Sequence, residues 1–135
     1  MKVLRKIKHE LQNEINIVID RLLSECKTEY DNEGISGFIA DVRRGLAYMD
    51  GRFTVPLWAY DRRNNGKNYR GDEGYFVYYV AHELSHQLRY KKYGLNGGHD
   101  FRFYEIFIDV CPKEYQHFEL NYKKTSSKFG IIQTI

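Results

Sequence analysis

Cysteine is scarce. Cys26 and Cys111 are the only two in 135 residues, and neither has a second cysteine near it. That excludes a disulfide framework and a cysteine-based zinc knuckle. Two buried thiols in a reduced, cytoplasmic setting are expected instead. No apolar run is long enough to cross a bilayer, so no membrane association is expected. The start, Met1-Lys2-Val3-Leu4-Arg5-Lys6, lacks the apolar block and small-residue cleavage site of a secretory signal. Repeats, low-complexity tracts and internal linkers are missing too, which leaves a single domain with one modest core. Neither sign of charge dominates: 21 Lys and Arg against 18 Asp and Glu give a net charge of +3. That balance permits contact with nucleic acid without requiring it. Tyrosine, by contrast, is abundant at 12 residues. Half-buried core and sheet positions are its expected place, with base stacking or a peptide groove as the alternative.

Against this background one motif carries chemistry. His82-Glu83-Leu84-Ser85-His86 is an H-E-x-x-H box in a stretch that reads as helix. Residues four apart share a helix face, so both imidazoles can address one metal ion. Zinc of the catalytic kind takes three protein ligands and leaves a position for water, and Glu83 stands beside the pair to accept a proton from that water.

Residues 1–33 form an N-terminal helical segment. Val3, Leu4, Ile7, Leu11, Ile15, Val18 and Leu22 give it an apolar stripe to about residue 30, where Asp31-Asn32-Glu33-Gly34 should stop it. Three strands are then expected: 35–42, 46–49 and 52–57, the last two joined as a hairpin by Asp50-Gly51. Pro56 places the end of the third strand at a sheet edge, with Trp58 and Tyr60 at the start of a loop. Residues 61–74 are polar and locally basic, an exposed loop that could face phosphate or substrate. Tyr75 to Tyr93 is the metal helix, and Gly94 stops it. Another helix spans about 100–110, and Pro112 opens a further one to about Tyr122. Residues 123–135 are a mixed tail.

The third ligand is open between two residues. Arg89 and Lys92 stand where a metzincin has Gly and His, which excludes that class. Glu105 could serve from a following helix, as in thermolysin-like sites. His99 is favoured, because Gly97-Gly98 lets the backbone fold it toward the metal. Asp100 and Asp109 are candidates to hold the imidazoles from behind, and His9 and His117 read as ordinary surface or core histidines.

His99-Asp100-Phe101-Arg102-Phe103 resembles the H-x-x-x-F element that follows the H-E-x-x-H box in SprT-like and YgjP-like (WLM-type) metallopeptidases. Cys111-Pro112-Lys113-Glu114-Tyr115 is similar to the later hydrophobic-Pro-x-x-Tyr turn of the YgjP-like group. Arg44-Gly45-Leu46-Ala47 resembles the strand region before the metal helix, so the likeness covers about residues 35–122. The resemblance implies an α+β zincin-like domain: a twisted antiparallel sheet of about three strands packed on the H-E-x-x-H helix and the C-terminal helices. It also implies one zinc ion on His82, His86 and His99, with Glu83 as catalytic base. A zinc ribbon and a long basic tail, used by some SprT-like proteins to reach DNA, do not occur in this chain.

The leading expectation is a zinc-dependent peptidase acting on a protein or peptide substrate. An extended substrate would add to the edge strand near Phe53, Val55 and Leu57. The oxyanion donor would be Tyr93, Arg102, Tyr104 or Tyr115. A second reading is a zinc-stabilised module that grips nucleic acid or protein through the basic loop 61–74. A third is metal-dependent hydrolysis of a bond other than peptide. Glu83 argues against the second, since a structural zinc site has no use for a base.

Overall fold

The computed structural model describes residues 2–61 and 73–119. The basic loop 61–74, save its ends, and the tail 123–135 lie outside the described residues, as does the side chain of His9. The chain is α+β. Helix α1 (Lys2–Glu25) leads into strand β1 (Ser36–Ala40), then β2 (Arg52–Pro56) and the short helix α2 (Leu57–Asp61). Helix α3 (Glu73–Tyr93) and helix α4 (Phe101–Val110) follow, and a 3-10 turn at Lys113–Tyr115 begins the last described stretch. No helix among the described residues is long and apolar enough to cross a membrane.

Helix α3 is the centre of the molecule, packed by α1, β2, α2 and α4. Phe76, Val77, Val80, Ala81, Leu84 and Leu88 are buried along one broad face of it. From α1 come Ile15, Ile19 and Leu22, at the three- and four-residue spacing of one helix face. Helix α4 adds Phe103, Ile106, Phe107 and Val110. Phe53 and Val55 from β2, alternating with half-buried Thr54, complete this core.

The three-stranded antiparallel sheet is corrected. β1 and β2 run parallel, with Gly37 opposite Phe53 and Ile39 opposite Val55. The second expected strand, 46–49, makes only a single antiparallel bridge among the described residues, Ala47 to Phe53, on the other side of β2. The hairpin turn forms, with Gly51 N donating to Tyr48 O at 3.2 Å and Tyr48 N to Arg52 O at 2.8 Å. β2 is therefore central and not an edge. Pro56, with no N–H to continue a ladder, ends it, and the chain passes straight into α2. Leu57, Trp58 and Tyr60 lie on that helix rather than in strand or loop. α1 stops at Glu25, short of the Asp31–Gly34 turn. After Pro112 a 3-10 turn stands where a continuous helix was expected.

Candidate metal centre

His82 and His86 project from one face of α3, and His99 stands on the connector just before α4. Its Nε2 atom lies 3.1 Å from Nε2 of His82 and 3.2 Å from Nε2 of His86. Ligand atoms of all three lie within 4.8 Å of one another, close enough to hold one metal ion. Zinc–nitrogen bonds of about 2.0–2.1 Å at tetrahedral angles set ligand nitrogens about 3.3 Å apart, so these separations fit such an ion. At these separations a shared N–H or a cation lies between two ring nitrogens, and only a cation lets all three present lone pairs at once. Burial, together with the charges of His82, His99 and Arg89, pushes the His86 pKa down to about 3, keeping that ring neutral and able to donate its lone pair.

The connector owes its course to Gly97 and Gly98, whose φ angles of +72° and +81° are ones that L side chains rarely adopt. Arg89 clamps it. This arginine is only 6% exposed, on α3 one turn past His86. Its Nη1 donates to Leu95 O (3.1 Å) and Gly97 O (2.6 Å), and Nε and Nη2 donate to the two Asp100 carboxylate oxygens (2.9 and 2.7 Å). Asp100 also caps α4, accepting from Phe103 N at 3.0 Å. Those contacts hold its pKa well below the usual carboxylate range, Arg89 contributing most.

Behind His82 stands Glu119, 3% exposed. Its Oε1 accepts from His82 Nδ1 at 2.8 Å and from Tyr78 Oη at 2.8 Å, and Oε2 accepts from Tyr104 Oη at 3.2 Å. The carboxylate sets the His82 tautomer, so Nε2 presents a lone pair toward the other imidazoles. Burial pulls the His82 pKa down, but hydrogen bonding and charge from Glu119 outweigh it, and the net shift is upward. Glu119 fills the supporting role expected of Asp100 or Asp109. Asp109 instead ties α4 to the segment after α1, accepting from Lys27 N (2.8 Å), Thr28 N (3.2 Å) and Tyr30 Oη (2.8 Å).

Glu83 is 7% exposed and lines the same cleft as the three histidines. No hydrogen-bond partner engages its carboxylate among the described residues. Burial raises its pKa, His82 opposes this, and the charge of Glu119 adds to it. The cleft has a volume of about 680 Å³. Its floor is the stripe of α3 that carries Tyr75, Tyr79, Glu83, His86 and Tyr90, and its facing wall is the segment from Arg44 to Met49. Gln87, buried at 2%, fixes that wall by donating to Tyr48 O and Arg52 O, both at 2.7 Å. Gly45 lets the wall come close: an added Cβ would sit 2.2 Å from Thr54 O.

Several expected residues lie elsewhere. Glu105 is exposed on the outer side of α4, which removes it as a ligand. Phe53 and Val55 are fully buried in the core and cannot meet a substrate, because β2 is covered on both edges. Leu57, Tyr93, Arg102 and Tyr115 do not line the cleft. Arg102 instead sits 5.5 Å over the ring of Tyr93 and 4.8 Å over that of Phe101, and Tyr115 lies against Gly74. Tyr104 is near, but its hydroxyl is committed to Glu119. His117 is on the surface, at Glu114 O. Glu119, Arg89 and Gln87 were not anticipated in these roles. A lone acid between Phe118 and Leu120 was the one available hint of a buried carboxylate.

Fold and site together define a class: a small α+β domain with a three-histidine centre and an acid beside it. No protein-family model, curated protein or solved structure matches the chain.

Proposed function

We propose that this chain is a zinc-dependent metallopeptidase of the SprT-like or YgjP-like kind, working in a reduced, cytoplasmic setting. One observation carries the reading: three imidazole Nε2 atoms converge, and the buried Glu83 carboxylate, with no hydrogen-bond partner among the described residues, shares their cleft. His82, His86 and His99 would hold the ion, and imidazole nitrogen donors suit zinc. Zinc so held supplies an acidified water and a Lewis acid for the scissile carbonyl. Glu83 takes the water proton and delivers it to the leaving amine. Its raised pKa makes it a better proton acceptor than an exposed glutamate, although a neighbouring dication draws the value part-way back.

The peptide substrate adds to the wall segment rather than to β2. Hydrogen bonds from Tyr48 N to Arg52 O and from Thr54 N to Leu46 O flank the Ala47–Phe53 pair. In such a pair the peptide groups of Ala47 point away from β2, and Ala47 lines the cleft. An extended chain laid there gains main-chain hydrogen bonds whatever its sequence.

The test is cleavage of a peptide library by the zinc-loaded chain, wild type against Glu83→Gln, with metal content measured on both. The expected result is cleavage by wild type and loss of at least 100-fold in Glu83→Gln at equal zinc, the usual weight of a general base. Equal rates in both proteins would remove Glu83 from the mechanism. Zinc binding without cleavage of any peptide would favour the binding-module reading.

A further inference from the structure

Beyond the metal centre, the row on α3 that carries Glu83 continues toward the helix N-terminus as Tyr79 and then Tyr75, each four residues back. At 1.5 Å per residue these lie about 6 and 12 Å along the axis from Glu83. An extended peptide advances about 3.3 Å per residue, so they face side chains within a few residues of a bond held at the metal. Trp58 of α2 closes the corner. Its ring centroid lies 6.1 Å from that of Tyr75 and 5.9 Å from that of Tyr79, nearly edge-on to the latter at 86°. Tyr75 and Tyr79 meet at 6.1 Å and 66°. All three rings line the cleft with Glu83, and Trp58 is 36% exposed.

Two of the polar tips are committed to the wall backbone. Trp58 Nε1 donates to Arg43 O at 2.7 Å, and Tyr79 Oη accepts from Gly45 N at 2.8 Å. These bonds fix the rings and leave apolar surface toward the cleft. Charge then selects between the two partners that aromatic rings favour, a cation or an apolar group. Arg44 and Glu83 are the only charged side chains lining the cleft among the described residues, apart from the histidines. With a dication on the histidines, the cleft is positive on balance. A lysine or arginine side chain is repelled there, whereas an apolar one is not.

We infer that Trp58, Tyr75 and Tyr79 form a specificity pocket that admits a bulky apolar or aromatic substrate side chain near the scissile bond. The inference rests on the peptidase reading. Trp58 is the sole tryptophan in the chain, so emission excited at the red edge of tryptophan absorption, beyond that of the 12 tyrosines, reads this pocket alone. The experiment has two arms on the full zinc-loaded protein. In the first, N-acetylphenylalanine amide and N-acetyllysine amide are titrated against Trp58 emission. In the second, peptides differing only in residues within three positions of the cut (Phe, Leu, Ala, Lys) are compared for kcat/KM in wild type and Trp58→Ala. The phenylalanine ligand should shift the emission and the lysine ligand should not. Phe or Leu peptides should be cut about 10- to 100-fold faster than Ala, a preference that Trp58→Ala should flatten. Cleavage with no side-chain preference, or a preference for Lys, overturns the pocket and leaves the peptidase standing. An emission response to phenylalanine without any cleavage keeps the pocket and sinks the peptidase. The emission arm uses wild-type protein, so it decides the matter even if Trp58→Ala does not fold.

Discussion

Replacing Arg89 by methionine tests how His99 is held. The guanidinium is 6% exposed and makes four hydrogen bonds to the connector: two to the Asp100 carboxylate and two to the carbonyls of Leu95 and Gly97. Methionine keeps most of the apolar stem and removes every one of these bonds. Breaking a buried ion pair from one side costs about 3–5 kcal/mol. The Asp100 side chain is 35% exposed and can rehydrate, so the loss should fall near 3 kcal/mol, at the lower end of that range. His82 and His86 stay on α3, but the third imidazole loses its anchor. Zinc affinity should fall about 10- to 100-fold, the usual effect of losing a group that orients a ligand. Competition with a chromophoric chelator measures the affinity, and urea unfolding of the metal-free protein measures stability separately. Arg89→Lys restores charge without the fork and should recover little of the affinity. A variant that is destabilised yet binds zinc like wild type would refute the clamp as a positioning device and leave Arg89 a purely structural residue.

Other outcomes follow from the same geometry. His99→Ala should weaken zinc binding by several orders of magnitude in the chelator assay; retention of wild-type affinity would move the third ligand elsewhere. Glu119→Gln keeps an acceptor near His82 but removes the charge, and zinc affinity should drop about tenfold; no change would end its supporting role. Asp109 has its pKa lowered: burial raises it, but bonds from Lys27 N, Tyr30 and Thr28 N prevail. A depressed carboxylate stabilises the fold above its unfolded pKa and loses that contribution as pH falls through the folded one. Asp109→Asn should therefore be less stable at pH 6, and the gap from wild type should shrink below about pH 4 in urea titrations. A gap that stays constant with pH would show that charge on Asp109 is irrelevant.

The metal helix was legible because its signal is local. A four-residue spacing places two histidines on one face, and the glycine pair before His99 announces a sharp return. What stayed hidden is non-local. Alternation along 36–40 and 52–56 marks strands but does not say whether partners run parallel or antiparallel, so β1 pairs parallel with β2 where the resemblance implied an antiparallel sheet. Pro56 signalled the end of β2, but that the chain would re-enter helix at once, placing Trp58 in the cleft, depends on packing against α3. Glu119 meets His82 across 37 residues of sequence, a distance that no period spans. Arg89 was read only for the glycine it replaces, while its function depends on a loop that the helix itself cannot foretell.

Helix α3 carries Leu84 and Leu88 in the core on the same few turns as His82 and His86. Occupancy by an ion and integrity of the fold are thus linked equilibria. A metal present at a thousand times its dissociation constant adds about 4 kcal/mol to the native state, a large part of the 5–15 kcal/mol typical of a domain. Starvation for that metal would then show first as a falling amount of protein, cleared by quality-control proteases, rather than as a standing pool of metal-free chain.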